Sequence, residues 1–479
     1  MLLMEVLVAE FVGCRPITSG VIVREVKEKT TTIKSADSYT RWFTREGLKE
    51  VFIRDVLGRD VVGKDRMTGS VLNEIIDDEL SVILRKVHDG SYRFADYRQV
   101  LILKGANKHP REICIPTARD ALVLAALKEI LKESMGPKCQ TPKPQSVIED
   151  LRRAVVSRQY NHFIKIDISE YYKSIKHEML VHILQHYMWI RKPQVLQLVQ
   201  GAITTPSTPM GAKRGKPRAS GLPEGLSISN LLANAYLVNL DKDCERNTHI
   251  FFARYVDDII VLCESAYAKK AVRFVIDRLN HLGLRINKEK MQEGSIGIRQ
   301  FEYLGYVFDG DRLDIRTTAI RRIEQRLESL LKQYSRSNSK EQSRIEFELR
   351  LVITGCIWQQ DENIQQKLGW VMYYSQASDC GCFARLDHTV KRIDARLGAG
   401  IADSLPKFVR VYHETKYRIS TTSYIPRLGY NTPIDKKRSI LRELGLAIDD
   451  HDDEWIERVF SNRIRRLCRK LERDVGGVS

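Results

Sequence analysis

The chain has 479 residues, 43% of them hydrophobic, enough to bury a sizeable core and to form more than one domain. Its 78 Lys and Arg against 61 Asp and Glu leave a formal charge of +17, which points to a polyanionic partner. No apolar run is long enough to span a bilayer, the first ten residues lack a basic leader, and the nine cysteines form no CxxC pair, which argues against a membrane span, a secretory signal, a disulfide framework and the usual zinc modules.

Those exclusions predict a cytoplasmic protein. Residues 1 to about 60 mix short apolar runs with charged segments and carry no motif that can be interpreted. Residues 61–69 predict a Gly-bounded turn, and 71–87 a helix. A basic hairpin is predicted over 97–116; its cations Lys104, Lys108 and Arg111 form a solvated edge or hold a triphosphate, for which Arg111 offers a bidentate fork. Apolar spacing predicts helices over 120–133 and 147–156.

At 162–168 the period changes to two. Ile164, Ile166 and Ile168 share one face of a strand, while Phe163, Lys165 and Asp167 share the other, so Asp167 projects from the strand's end on an open face. Residues 204–220 read as a basic loop that leads into Gly221-Leu222-Pro223-Glu224-Gly225, a turn predicted to open a long apolar helix whose N-terminus suits a phosphate. Next, Asp257 and Asp258 fall between two β-prone runs, with 255–258 as the turn. Adjacent carboxylates at a hairpin tip repel each other, and a divalent cation resolves that repulsion. An amphipathic helix over 268–284, a hairpin ending at 301–308, apolar helical stripes within 320–334 and 383–397, and a basic helix over 454–473 complete the pattern. Cys380, Cys382 and His388 have the wrong spacing for a zinc module and read as packing.

Taken singly, each acid is an ordinary surface residue. If the strand of Asp167 neighbours that of Asp257 and Asp258 in one antiparallel sheet, the three carboxylates meet at one edge. Such a cluster suits two Mg²⁺ ions roughly 3.5–4 Å apart, the arrangement of in-line phosphoryl transfer.

The ordered series formed by Arg111 to Pro116, Asp167-Ile-Ser-Glu-Tyr-Tyr172, Gly221 to Gly225, Tyr255-Val-Asp-Asp258, Leu284 with Asn287 and Lys290, and Tyr303-Leu304-Gly305-Tyr306 resembles that of reverse transcriptases, above all bacterial ones related to group II intron and retron enzymes. The likeness covers about residues 61–310, and Gly369 to Tyr374 is similar to the thumb of the same group. It implies an α+β, right-handed polymerase fold: an extension over 1–60, fingers over 61–160, an antiparallel-sheet palm over 161–310 with fingers elements near 190–220, a helical thumb over 311–400 and a helical C-terminal extension over 401–479. It implies metal ligands at Asp167, Asp257 and Asp258 with the carbonyl of Ile168, and Mg²⁺, or Mn²⁺ in its place, as cofactor. Lys290 would protonate departing pyrophosphate. Arg111 and Lys108 would hold the triphosphate, Tyr172 would gate against the ribose 2′-OH, Gly225 would line the pocket, and Tyr303, Leu304, Gly305 and Tyr306 would grip the primer. The partners implied are an RNA template, deoxynucleotides and DNA product. Defence-associated enzymes that copy a partner noncoding RNA in antiphage immunity are the relatives this points to, beside a splicing maturase and protein-primed or template-independent synthesis; monomer and homo-oligomer are both open. Glu224 departs from the pattern, standing where many relatives carry Gln. An acid beside a triphosphate weakens binding unless a neighbouring cation offsets it.

Overall fold

The computed structural model describes residues 35–103, 110–359, 365–448 and 450–475. Lys104, Lys108 and the first 34 residues of the N-terminal extension lie outside them. The described chain mixes helices with largely antiparallel sheets, the α+β class expected. None of its helices is long and apolar enough to cross a membrane. It divides into two compact units, one of Met1–Thr141, Asp167–Phe252 and Ala266–Glu289, the other of Pro142–Ile166, Ala253–Ser265 and Lys290–Ser479.

In the first unit, strands β1 (Tyr97–Ile102) and β2 (Arg111–Ile115) pair antiparallel, with Ile102 opposite Arg111. This is the basic hairpin expected over 97–116. Strand β3 (His162–Asp167) belongs to a sheet described below, and the short β4 (Ser207–Thr208) adds to β1 in parallel. The helix Ala118–Met135 is apolar almost all round and accordingly buried along most of its length. Thr117 caps it, its hydroxyl accepting from the Asp120 N–H at 3.1 Å. The Asp120 carboxylate is buried and accepts from Tyr92 Oη at 2.7 Å and from the Ala95 N–H at 3.1 Å.

The Gly/Pro turn does not open one long helix. Gly221 N–H donates to Ile175 O at 2.8 Å, Leu222 N–H to Tyr172 O at 2.7 Å, and Glu224 O accepts from Cys114 N–H at 2.7 Å. With its backbone engaged by neighbouring segments, the loop stays irregular until Ser229, where a helix runs only to Tyr236 before a second begins at Val238. Gly225 therefore precedes the helix instead of forming its N-terminus.

Strands β5 (Ile250–Tyr255), β6 (Asp258–Cys263) and β7 (Gln292–Ser295) join β3 in the order β5-β6-β3-β7. The Asn161 N–H, just before β3, donates to Cys263 O at the end of β6 (3.2 Å), so β3 and β6 run antiparallel. Strands β8 (Phe301–Tyr303), β9 (Tyr306–Asp309) and β10 (Arg312–Ile315) form a meander in sequence order. Between β8 and β9, Leu304 and Gly305 have φ of +45° and +79°, the positive values that a tight hairpin turn demands of both central residues.

The expected open face of β3 is covered. The Phe163 ring is fully buried and stacks on Phe301 with centroids 4.4 Å apart, and Phe301 stacks on Phe308 at 4.8 Å. Beyond β10 the chain turns helical as expected, through Thr317–Arg336, Ser339–Thr354, Gly381–Leu397, Phe408–Tyr417 and Asp453–Val475. A small sheet of Cys356–Gln359, Gln365–Leu368 and Arg427–Gly429 interrupts it. Those strands are three or four residues long and paired across a long stretch of sequence, too short for a period-two signal.

Candidate active site

The two-residue turn between β5 and β6 consists of Val256 and Asp257, with Tyr255 and Asp258 already in the strands. Val256 has φ +57°, a conformation that hairpins ordinarily assign to glycine and that a β-branched residue rarely adopts. Arg254 Nη1 donates to the Val256 carbonyl at 2.8 Å and helps to hold the turn. Asp258 heads β6 and is buried. Its main-chain carbonyl accepts from Tyr303 Oη at 3.0 Å, and burial keeps that phenol protonated by raising its pKa well above the ordinary value. Lys165 Nζ lies 3.7 Å from Asp258 Oδ2 and donates to Glu302 O at 2.9 Å.

Asp167 is the last residue of β3 and falls in the first unit, while Asp258 is the first residue of β6 in the second. The Asp167 carbonyl accepts from the Asn287 N–H at 2.8 Å, and Ile168 forms a bridge with Ile286, which fixes the chain as it leaves β3. Carboxylates are hard oxygen donors of the kind Mg²⁺ takes. Among the described residues no three His, Cys, Asp or Glu side chains gather closely enough to hold a metal between them. Mg²⁺ asks for less: one or two carboxylates, with waters and substrate phosphates completing its octahedron. Asp258, buried and already with a cation drawn to it, fits that demand.

The remaining expected residues fall in both units. Arg111 heads β2 and its Nε donates to a carboxylate oxygen of Glu224, the offsetting cation that the acid requires. Gly225 has φ +106°, and a Cβ there would come within 2.9 Å of Cys114 O and 3.0 Å of Ile113 Cγ2. Tyr172 donates through its hydroxyl to Asn230 Oδ1 at 2.6 Å. Arg111, Gly225, Ser227 and Asn230 line a cleft of about 720 Å³ with Lys128 and Lys132, and no carboxylate is among the described residues lining it. Lys108 lies outside the described residues, and Lys290 is exposed just before β7. In the second unit, Tyr303 to Tyr306 form the β8–β9 turn, locked by Tyr306 Oη donating to Tyr373 O at 2.5 Å and Tyr373 Oη to Leu304 O at 2.9 Å.

Residues 102–308 match the family model described as reverse transcriptase (RNA-dependent DNA polymerase). They are a reverse transcriptase domain. The helices and largely antiparallel sheets around this domain are of the α+β class expected. It is 25% identical over 191 residues to the group II intron-encoded protein LtrA of Lactococcus lactis subsp. cremoris, covering 37% of this chain and 31% of that protein. It is 26% identical over 174 residues to an uncharacterized 91 kDa protein in the cob intron of Schizosaccharomyces pombe, covering 35% and 21%. The chain thus spans about a third or less of these curated relatives. Among solved structures, apo telomerase from Candida tropicalis aligns with 82% of this chain and 73% of its own, at 14% identity and a TM-score of 0.43.

Sequence reasoning passed over Lys165 and Asn230. The signal for Lys165 was its place on the same face of β3 as Asp167. Asn230 had none, because its role depends on where Tyr172 reaches.

Proposed function

We propose that the chain is an RNA-directed DNA polymerase that adds deoxynucleotides to a primer, with Asp167, Asp257 and Asp258 supplying one or two carboxylates to each of two Mg²⁺ ions whose coordination substrate phosphates and waters complete. One observation supports this reading: within a reverse transcriptase domain, a strained two-residue turn carries Asp257 and leads into Asp258 at the head of β6. Mg²⁺, when bound, supplies activation of the attacking hydroxyl and neutralisation of the leaving oxygen. The chain's own residues do the positioning. Asp257 and Asp258 orient the reacting groups, the Tyr303–Tyr306 turn seats the primer end, and Arg111 meets the triphosphate with Lys108. Tyr172 excludes a ribose, Gly225 lets the backbone close on the nucleotide, and Lys290 gives a proton to pyrophosphate.

The same reading assigns fingers to 61–160, palm to 161–310, thumb to 311–400 and a helical extension to 401–479. The +17 charge favours a nucleic-acid duplex gripped through its phosphates. A noncoding RNA as template, and a cytoplasmic role in antiphage defence, rest on the resemblance to defence-associated enzymes.

The test is DNA synthesis by purified protein with and without RNA. Asp257→Asn should abolish it, with a loss of at least about a thousandfold, while circular dichroism stays unchanged. Both curated relatives are encoded in introns, which favours a second reading as an RNA-binding splicing cofactor. That reading predicts Asp257→Asn to be silent. Sequencing the nucleic acid that co-purifies with the protein identifies what is bound or copied.

A further inference from the structure

Lys165 is a cation beside Asp258 in the second unit, and no role is assigned to it above. Its ammonium has two partners on different strands, Asp258 Oδ2 at 3.7 Å and the Glu302 carbonyl at 2.9 Å. The next residue on β8, Tyr303, donates to the Asp258 carbonyl. Two successive residues of β8 are thus tied to Asp258, one directly through the main chain and one through the ammonium. The Glu302 carboxylate faces Arg316 Nη1 at 3.6 Å, so it is the Glu302 carbonyl that Lys165 engages. The Lys165 and Asp258 side chains are 21% and 11% exposed, so water screens their attraction less than at an open surface.

We propose that Lys165 is a positioning residue with two opposed effects: it competes with a divalent cation for the Asp258 carboxylate, and it holds the β8–β9 hairpin in register with that carboxylate. This rests on Asp258 being a metal ligand. A cation that binds Asp258 meets the positive charge of the ammonium and must displace it, while the ammonium keeps its bond to Glu302 O. Metal affinity without substrate is therefore held down, and occupancy comes to depend on the phosphates that a nucleotide adds.

The two effects separate experimentally. Mn²⁺ binding to the full chain, without nucleic acid or nucleotide, is followed by electron paramagnetic resonance for the wild type, Lys165→Met, Lys165→Arg and Asp258→Asn. Lys165→Met should bind Mn²⁺ tighter by roughly three- to tenfold, the scale of a partly exposed charge pair, while Lys165→Arg stays near wild type. In the same Lys165→Met protein the amides of Tyr303 to Tyr306 should exchange faster with solvent and the primer KM should rise. A residue that merely stabilises the fold cannot tighten metal binding when removed. Unchanged or weaker Mn²⁺ binding by folded Lys165→Met overturns the proposal, and Lys165→Gln, uncharged but still a donor, serves the same comparison if Met does not fold. Equal Mn²⁺ binding by Asp258→Asn and wild type overturns instead the assignment of Asp258 as a ligand.

Discussion

The Arg111 guanidinium donates through Nε to the Glu224 carboxylate, so the cation at the head of β2 faces its cleft already paired. The acid takes one donor and one charge from a group expected to meet a triphosphate, and leaves the two terminal nitrogens to do so. Glu224→Gln keeps the shape and removes the charge. It should lower the deoxynucleotide KM by roughly three- to tenfold with little change in kcat, whereas Glu224→Ala, which also frees the guanidinium, should raise it. A Gln variant with a KM at or above wild type counts against an electrostatic role.

Val256 holds a backbone conformation that costs a β-branched residue on the order of 1–3 kcal/mol. Val256→Gly relieves that strain but gives the unfolded chain about 1 kcal/mol more entropy. Stability in urea should therefore be unchanged or up by as much as about 2 kcal/mol. Single-turnover incorporation should fall about tenfold, a loss of near 1.4 kcal/mol in the barrier, because the turn no longer holds its two acids rigidly. A destabilised Gly variant would mean that the turn carries no strain.

Tyr303→Phe leaves the Asp258 carbonyl without its phenolic donor in a buried setting. The expected cost is about 1–3 kcal/mol in denaturant unfolding. Primer extension should fall with it, and nucleotide KM should hold. A drop confined to nucleotide affinity would place the effect elsewhere.

Burial pushes the Asp120 carboxyl up to about 6 from an ordinary 3.8. The folded state thus binds the proton more tightly than the unfolded chain. Stability from this group is full below about pH 4 and is lost as pH rises through about 6, in total about 3 kcal/mol. Asp120→Asn cannot titrate. The unfolding free energy of wild type minus that of the variant should therefore fall by about 2 kcal/mol between pH 4 and 6.5. A flat difference would mean that the carboxyl is not raised.

Much of this was legible in the chain because the signals are local. Three alternating isoleucines mark β3, and β-prone runs around Asp257 and Asp258 mark β5 and β6. What escaped depends on distant partners. Phe163 alternates as if exposed, and Phe301, far along the chain, stacks on it. Lys165 looks like a solvated cation until Glu302 and Asp258 are beside it. The delayed helix start at Ser229 follows from backbone bonds to Tyr172, Ile175 and Cys114, which no window around Gly221 to Gly225 contains.

The meander of β8, β9 and β10 bears on where this chain can be cut. The segment that matches the reverse transcriptase family stops at residue 308, inside β9, whose outer neighbour β10 begins at Arg312. A fragment trimmed to the homologous stretch would sever a sheet midway, shed the Arg316 N–H that closes on Gly305 O, and loosen the Phe301–Phe308 stack that roofs β3. Ancestry and folding thus draw their borders at different residues, and a minimal expressible core has to extend past the first.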